Sequence, residues 1–334
     1  MLQLLLVFLG LAVAVAVAAQ AGGANYGVVP GARAPSGKIS EWPVPTPKFA
    51  RDVAVAPDGS IYIAVMSGNR IARFDPVSQT FKEWELPAGS NPHGVMPDRE
   101  GRIWFTGNGN GTLGLLDPAS GKVSLFKTPS GGGGPHTLVR DAAGDIWFTG
   151  QSGNYLARFE RDGDGKTGKI TEYKMPGGPY GLTIDQQGNV WVCRYSADKL
   201  GKLDPKTGKI SELGMGTGSR PRRIATAPDG TLWVTLYGKG KLAQVDPVAN
   251  KVLHEYALPA GANAGPYAVT VDAAGKVWVN EIESDSVVRF DPADGTMRVF
   301  NLPSKNVGIR TAVIDAQGRY WYIGSHNGRL GMIE

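Results

Sequence analysis

Seven polar side chains recur at one position of a repeated pattern in this 334-residue sequence, and their types suit anion binding and proton transfer. Each stands eight residues before a glycine, and together they are Arg51, His93, His136, Tyr180, Arg222, Tyr267 and Arg310. Arginine binds carboxylates and stabilises a developing oxyanion, whereas histidine is the side chain used most often as a general base. Because the other positions of the repeat are apolar or turn-forming, we expect this set to form a functional site.

A second position, six residues after the same glycine, should lie opposite the first. The residues there are Val65, Gly107, Gly150, Arg194, Leu236, Glu281 and Gly324. The two positions are roughly symmetric about a tight turn, so they are expected to face each other at the open end of a hairpin. The two sets together hold four arginines and one glutamate, a formal charge of +3 (4 − 1) with neutral histidines.

This positive charge, in a concave and partly dry site, favours an anionic or carbonyl-rich small molecule as the ligand. The residues expected to bind it are Arg51, Tyr180, Arg194, Arg222, Tyr267 and Arg310. The alternative is a plug, in which the same side chains hydrogen-bond one another and Arg194 or Arg222 pairs with Glu281. A plug would tend to balance its charges, which these residues do not do, so the sequence favours a ligand site.

Three of these side chains are candidate catalytic residues, namely His93, His136 and Glu281. Removing a proton next to a carbonyl needs such a base, together with an electrophile that stabilises the enolate, which the arginines would supply. Neighbouring arginines should keep Glu281 ionised and weakly basic, so it is the least suitable base of the three. An enzyme of this kind would depend on His93 or His136, whereas a binding protein would depend more on Arg222 and Arg310.

The two histidines could also share a metal ion, because they lie on adjacent repeats and each faces a glycine that leaves room beside the ring. A tetrahedral or octahedral site needs further ligands, and the nearby Asn108 and Gln151 are weak candidates. The sequence therefore gives this metal site little support and leaves the identity of any ion open.

A second candidate metal site is the segment 160–170, ERDGDGKTGKI, where a longer loop replaces the Asp-Pro turn of the other repeats. Glu160, Asp162 and Asp164 alternate along it as hard calcium ligands would. The hydrophobic and final glutamate positions of an EF-hand do not line up, so an ordinary solvated hairpin is the favoured structure.

The elements that must position these residues are indicated by seven repeats of about 43 residues. A turn ends in glycine and an aromatic residue follows three positions later, in the pairs Gly59/Tyr62, Gly101/Trp104, Gly144/Trp147, Gly188/Trp191, Gly230/Trp233, Gly275/Trp278 and Gly318/Trp321. Apolar residues alternate with period two inside each repeat, as in half-buried strands. Four short strands per repeat at this period predict an all-β fold, a single seven-bladed β-propeller with four antiparallel strands per blade.

The ends of the sequence explain how the ring closes. Residues 37–45, GKISEWPVP, resemble the fourth strand of later repeats, such as GKITEYKMP at 168–176, and the last repeat stops after its third strand. We therefore expect the N-terminal strand to complete the C-terminal blade, which removes free sheet edges. One propeller domain is predicted over residues 37–334.

Most of the other prominent residues are expected to be structural. The seven aromatic residues of the repeat should pack between neighbouring blades, and Cys193 should be a small core residue. The aspartates that precede proline should form turns, and they are Asp75, Asp117, Asp204, Asp246 and Asp291. His254 and His326 are interpreted as surface residues.

Composition excludes several classes of protein. With 19% charged and 42% hydrophobic residues, most of the chain is not disordered. The single cysteine excludes an intramolecular disulfide framework and any multi-cysteine metal site. A net charge of +5 without basic runs gives no support to nucleic-acid binding. A monomer is expected.

The N-terminal segment resembles a signal peptide. Residues 2–19 are apolar apart from Gln3, and Ala19-Gln20-Ala21 matches the small-x-small pattern that precedes cleavage. We expect residues 1–21 to be a signal peptide and 22–36 a flexible leader, with export to a bacterial periplasm or secretion. The alternative is an uncleaved anchor, for which about 18 apolar residues are just long enough. No other segment could span a membrane.

The blade sequences resemble those of the virginiamycin B lyase (streptogramin lyase) family. The resemblance covers all seven blades and is clearest in NPHGVMPDREGRIWFTGNGNGTLGLLDP, GGPYGLTIDQQGNVWVCRYSADKLGKLDP and GPYAVTVDAAGKVWVNEIESDSVVRFDP. It implies the same propeller fold with closure by an N-terminal strand. It also implies a carbon–oxygen lyase that uses Mg²⁺ to open the ester bond of a cyclic depsipeptide by elimination, without water.

The resemblance further implies a general-base histidine in the last blade, a second histidine one blade earlier, and a glutamate in the last blade. Those positions are held here by Arg310, Tyr267 and Gly324, so none matches. If the comparison is shifted by one blade, only the glutamate position is matched, by Glu281. The pair His93 and His136 has the same spacing as the two family histidines, but it lies on blades two and three. Two functions therefore stay open: a lyase acting at the channel mouth, and a non-catalytic binding or scaffold propeller for an anionic small molecule or a protein partner.

Overall fold

Each repeat folds into one sheet of four antiparallel strands, because short alternating segments are separated by glycine-rich and Asp-Pro turns. The computed structural model describes residues 37–163 and 165–334. Within these residues, seven four-stranded sheets follow one another as the blades of a propeller, which confirms the predicted fold class. The predicted signal peptide and leader lie outside the described residues. The described part contains no helix long and apolar enough to cross a membrane.

The innermost strands line the channel. In blade order they are Val53–Val55, Pro92–Pro97, Pro135–Arg140, Pro179–Ile184, Pro221–Thr226, Pro266–Val271 and Ile309–Ile314. The second strands are Ile61–Val65, Ile103–Gly107, Ile146–Gly150, Val190–Arg194, Leu232–Leu236, Val277–Glu281 and Tyr320–Gly324.

The third strand of each blade is largely buried, whereas the fourth strand is the most exposed. The third strands are Arg70–Asp75, Thr112–Leu116, Tyr155–Asp162, Lys199–Leu203, Lys241–Asp246, Ser286–Phe290 and Arg329–Ile333. The fourth strands of the first six blades are Thr80–Glu85, Val123–Lys127, Thr167–Lys174, Ile210–Gly214, Lys251–Ala257 and Met297–Asn301. Three short 3-10 turns lie at Met66–Gly68, Tyr237–Lys239 and Gly261–Asn263.

The N-terminal strand Ile39–Pro43 is the fourth strand of the last blade, as predicted. It pairs antiparallel with Arg329–Ile333, in a register that places Ile39 opposite Ile333 and Pro43 opposite Arg329. The ring is therefore closed by hydrogen bonds between the first and last strands of the fold, and the last sheet has no strand missing.

The aromatic residue of each repeat packs against the next blade, which confirms its predicted structural role. Trp104, for example, contacts Ile146 and Phe148 of the following blade in one buried cluster. Its indole N–H also donates to the carboxylate of Asp98, three residues before the marker glycine. The same indole–aspartate bond recurs from Trp147, Trp191, Trp278 and Trp321 to Asp141, Asp185, Asp272 and Asp315.

The Asp-Pro turns also form as predicted. The carboxylate of Asp75 accepts the backbone N–H of Val77 at 2.8 Å. The equivalent bond, to the residue two positions later, is made by Asp117, Asp204, Asp246 and Asp291. Cys193 is fully buried, and burial raises the pKa of its thiol well above the usual range.

Candidate functional site

A β-bulge near the start of every innermost strand sets the direction of the channel-lining side chains. In the second blade, Pro92 pairs with Gly107 and Val95 with Phe105, so the first strand holds one extra residue between these pairs. The same shift occurs in blades three to seven, and in blade one Arg51 and Asp52 both bond to Ala64. A bulge re-aims side chains, so two consecutive residues can face the channel, as in Arg51-Asp52 of blade one and Arg222-Arg223 of blade five.

Side-chain bonds between blades hold these strands in place. The hydroxyl of Thr106 donates to the carbonyl of His136 in the next blade, and Thr149 does the same to Tyr180 at 2.7 Å. Thr235 and Asn280 make the equivalent bonds to Tyr267 and Ile309. The backbones of His136, Tyr180 and Tyr267 are thus fixed by the preceding blade, which pre-organises this part of the ring.

The first predicted set of side chains meets in the centre of the channel. Arg51 donates from Nε to His93 Nε2 at 2.9 Å and from Nη2 to Tyr180 Oη at 3.0 Å. Tyr180 and Tyr267 are hydrogen-bonded through their hydroxyls. The ring of His136 lies between His93 and Tyr180, with centroid distances of 3.5 Å and 4.0 Å.

A second layer below this ring was not predicted. Arg223 donates to Asp52 at 3.0 Å and to Thr137 Oγ1 at 2.7 Å, and Thr137 Oγ1 is 2.9 Å from His136 Nδ1. Asp52 is 0% exposed, and this buried ion pair joins blades one and five across the channel. Strict period-two alternation would turn these residues away from the channel, so the sequence pattern alone does not identify them. The available signal is a polar residue directly after the first set in four of the seven blades, at Asp52, Thr137, Arg223 and Thr311.

The expectation that the second set faces the first is wrong. Because of the bulge, Arg194 pairs with Pro179 and Glu281 with Pro266, one residue away from the expected partners. Arg194 turns outward and bonds Glu212 and the carbonyl of Pro176. The carboxylate of Glu281 accepts the backbone N–H of Ala260 at 2.8 Å and the hydroxyl of Ser286 at 2.7 Å.

Neither Arg194 nor Glu281 therefore contributes to the charge at the channel mouth, and the pairing of Glu281 with Arg194 or Arg222, which belongs to the plug alternative, is not among these contacts. The charge of the channel is carried by Arg51, Arg222, Arg223 and Arg310 against Asp52, which again gives a formal +3 (4 − 1) with neutral histidines. The formal charge of the channel is therefore the same as predicted, although Arg223 and Asp52 take the places of Arg194 and Glu281 in the count.

Both channel histidines are buried and neutral. Burial, together with nearby arginines, holds the pKa of His93 and of His136 well below the usual range. His93 accepts a hydrogen bond from Arg51 at Nε2, so its own proton resides on Nδ1, which is 4.0 Å from the Asp52 carboxylate. With 2% and 1% of their surfaces exposed, His93 and His136 lie beneath the outer side chains of the mouth.

The two tyrosines of the ring are shifted in opposite directions. Burial raises the pKa of Tyr180, and the neighbouring Tyr267 adds to that rise. Burial acts in the same direction on Tyr267, but Arg51, Arg310, Arg222 and Arg223 outweigh it and lower the pKa of Tyr267 to about 7. Around neutral pH the hydroxyl of Tyr267 can therefore lose its proton, and the hydroxyl of Tyr180 then donates a hydrogen bond to the ionised oxygen of Tyr267.

Two arginines form the outer layer of the mouth. The guanidinium of Arg222 lies 4.8–5.3 Å from the ring centroids of four tyrosines, Tyr180, Tyr195, Tyr237 and Tyr267. Arg310 lies 5.1 Å from the ring of Tyr267 and 5.3 Å from that of Phe49. Within the described ranges, the Nε of each arginine is buried without a hydrogen-bond partner.

His326 was interpreted as a surface residue, and it is exposed as expected, but it belongs to the rim of this mouth. Its Nε2 is 3.2 Å from Nη2 of Arg310, and its ring stacks on Phe49 at 6.0 Å. Burial and the charge of Arg310 lower the pKa of His326. Its position in the loop after Gly324, at the open end of the last inner hairpin, is the signal that could have identified it.

The donor set does not suit a magnesium ion in the channel. Mg²⁺ prefers carboxylate oxygens, yet Asp52 is paired with Arg223 and lies close to Arg51. Among residues 37–163 and 165–334, no group of three or more His, Cys, Asp or Glu side chains could hold a metal. In the candidate calcium loop, Glu160 pairs with Arg158 at 3.3 Å, Asp162 ends a strand opposite Thr167, and Asp164 lies outside the described residues.

Comparison with known proteins identifies similar folds and one family. The model of the virginiamycin B lyase family matches residues 30–167 and 165–334. A streptogramin B lyase structure is 24% identical, with 88% of this chain and 96% of that chain covered and a TM-score of 0.80. Virginiamycin B lyase from Staphylococcus aureus is 22% identical, with coverages of 88% and 98% and a TM-score of 0.80. No curated protein matches the sequence.

A more distant structural match is a putative 6-phosphogluconolactonase from Bacteroides uniformis. It is 17% identical, with 79% of this chain and 84% of that chain covered and a TM-score of 0.60. At these identities the structural matches show the propeller fold alone, and one such scaffold hosts many functions.

Proposed function

Because the chain belongs to the virginiamycin B lyase family but holds Arg310 and Tyr267 where the resemblance places histidines, we propose that its channel mouth binds an anionic small molecule through a carboxylate or carbonyl group. The site consists of Arg222 and Arg310 above the hydrogen-bonded ring of Arg51, Tyr180 and Tyr267. We propose further that the protein is exported, which the apolar segment 2–19 supports.

The observation that carries this proposal is the unused hydrogen-bonding capacity of the two outer arginines. Among the described residues, the side chain of Arg222 makes cation–π contacts but no hydrogen bond or ion pair. The side chain of Arg310 makes one hydrogen bond, to His326. Aromatic rings restrict both guanidinium groups, so little conformational entropy is lost when an anion binds. A carboxylate would accept hydrogen bonds from the free N–H edges, and such charge-assisted bonds are the strong ones.

Calorimetric titration of the purified protein with succinate tests the proposal. Arg222→Gln and Arg310→Gln should each weaken binding by about tenfold or more, because each removes a charge-assisted bond worth about 1.5–3 kcal/mol. Arg70→Gln is the matched control, since it removes the same charge from an exposed ion pair on the outer part of blade one. Equal effects of all three variants, or no binding of succinate to the unmodified protein, would contradict the proposed site.

A second candidate is a lyase that opens an ester or lactone by elimination at the same mouth. The observation in its favour is Tyr267, which occupies the place of a family histidine and has a lowered pKa. An ionised phenol can remove a proton next to a carbonyl, after which the arginines would stabilise the enolate and the ester C–O bond would break. His93, His136 and Tyr267 are 2%, 1% and 2% exposed, so each could serve as a base only after the layer above it has moved.

Elimination leaves the mass of a cyclic substrate unchanged, and this separates it from hydrolysis. A B-type streptogramin would be incubated with the protein, with and without Mg²⁺, and followed by liquid chromatography and mass spectrometry. A new peak of unchanged mass that is lost in Tyr267→Phe would support the lyase. A product heavier by one water would indicate hydrolysis, and unaltered substrate would refute the antibiotic-lyase activity while leaving anion binding to its own test.

A further inference from the structure

A cleft of about 380 Å³ opens beside the mouth, where loops of the fifth and sixth blades meet. It is lined by Tyr237, Gly238, Ala262, Asn263, Gly265 and Glu283. The 3-10 turns Tyr237–Lys239 and Gly261–Asn263 contribute to its walls. Its volume falls in the range of about 300–1,000 Å³ found for small-molecule sites.

Tyr237 joins this cleft to the arginine layer. The guanidinium of Arg222 lies 4.8 Å from the centroid of its ring, and the ring of Tyr267 meets it edge-on at 6.1 Å. The same tyrosine lines the cleft. A ligand whose carboxylate binds Arg222 therefore has the ring of Tyr237 and the cleft immediately beside it.

A glycine keeps the cleft open. Gly265 has a φ of +58°, and a Cβ there would lie 2.9 Å from Ile282, 3.1 Å from Glu283 Cγ and 3.3 Å from Tyr237 Cε2. A side chain at this position would be strained and would crowd the two residues that bound the cleft. The small residue therefore preserves both the space and the position of Tyr237 relative to Glu283.

We propose that this cleft is a sugar subsite and that the anionic ligand is an acidic saccharide, a uronate, an inference that rests on the proposed function. The carboxylate binds at Arg222, and the C–H face of the pyranose ring packs against Tyr237. The hydroxyl groups bind the amide of Asn263 and the carboxylate of Glu283, both of which are exposed to the cleft. An aromatic wall with a few polar groups that fix orientation is the usual composition of such a site.

The test compares three probes by calorimetric titration of the purified protein: digalacturonate, its neutral counterpart galactobiose, and succinate, which has carboxylates but no sugar ring. We expect digalacturonate to bind about tenfold tighter than either of the others. Glu283→Gln and Asn263→Ala should lower the ratio of digalacturonate to succinate affinity by about threefold to tenfold, the loss expected for one hydrogen bond. Tyr237→Phe keeps the ring and should leave the ratio within about twofold.

The outcomes separate this inference from the proposed function. If succinate and digalacturonate bind equally and the cleft variants leave their ratio unchanged, the sugar subsite is refuted while the arginine site stands. If galactobiose binds as tightly as digalacturonate, the link between the cleft and the arginines is refuted. If no acid binds, both proposals fail. Because Asn263 and Glu283 are exposed, their replacement is not expected to prevent folding.

Discussion

The buried ion pair between Asp52 and Arg223 makes a strong prediction about stability. The two side chains are 0% and 4% exposed and 3.0 Å apart, and they connect blades one and five through the centre of the ring. At this distance and an effective dielectric constant of about 20, the attraction of two unit charges is about 5–6 kcal/mol. Removing one partner of a buried pair typically costs about 3–5 kcal/mol.

Asp52→Asn keeps the shape of the side chain but removes its charge, which raises the formal charge of the channel from +3 to +4. We therefore expect the free energy of unfolding to fall by about 3 kcal/mol or more, measured by urea denaturation. Arg223→Met should destabilise for the converse reason, because it leaves the Asp52 carboxylate buried without its guanidinium partner.

The double variant gives the decisive value. If the two charges interact directly, Asp52→Asn combined with Arg223→Met should lose clearly less stability than the sum of the single losses, with a coupling of about 1–3 kcal/mol. Single losses below about 1 kcal/mol, or strictly additive losses, would show that this ion pair does not stabilise the propeller.

Three further predictions follow from the site and the blades. Titration of the tyrosinate absorbance should show one phenol ionising near pH 7, which disappears in Tyr267→Phe. This folded-state pKa is depressed below the unfolded value of about 10. The free energy of unfolding should therefore rise with pH between about 7 and 10, and this stabilisation should be lost as the pH falls through 7. Tyr267→Phe should flatten this pH dependence. Thr149→Val removes the bond to the Tyr180 carbonyl in the next blade and should cost about 1–3 kcal/mol in urea denaturation, whereas retained stability would show that this bond is dispensable. Cys193 should not react with a thiol reagent until the protein unfolds, because it is buried and its thiol pKa is raised, so rapid labelling of the folded protein would contradict its place in the core.

The channel has features of both alternatives that its sequence leaves open, a plug and a ligand site. The inner layers resemble a plug, because Arg51, His93 and Tyr180 hydrogen-bond one another and Asp52 pairs with Arg223. The outer layer does not, since the side chains of Arg222 and Arg310 are partly exposed and the Nε of each has no hydrogen-bond partner among the described residues. A rigid, hydrogen-bonded floor beneath two unused arginines is the arrangement expected of a pre-organised anion site.

The fold could be predicted because every blade repeats the same sequence features. A glycine turn, a period-two strand and an aromatic residue packed on the next blade recur seven times, and residues 37–45 carry the pattern of a missing fourth strand. Because these features depend only on local spacing, they can be recognised without any knowledge of tertiary contacts.

The site could be predicted only in part, because its geometry depends on a bulge that period-two reasoning does not include. Symmetry about the turn placed Arg194 and Glu281 opposite the channel residues, whereas the extra residue in each innermost strand displaces that pairing by one. The same bulge turns Asp52 and Arg223 into the channel. The position of the first set was predictable from the repeat, while its partners required the register of the hairpins.

A crystal structure of the protein with bound digalacturonate would show whether the two outer arginines form the ligand site. We expect a carboxylate at the channel mouth that accepts hydrogen bonds from the guanidinium groups of Arg222 and Arg310, above an unchanged ring of Arg51, Tyr180 and Tyr267. Density for the acid elsewhere on the surface, with the mouth empty at a saturating concentration, would contradict this expectation.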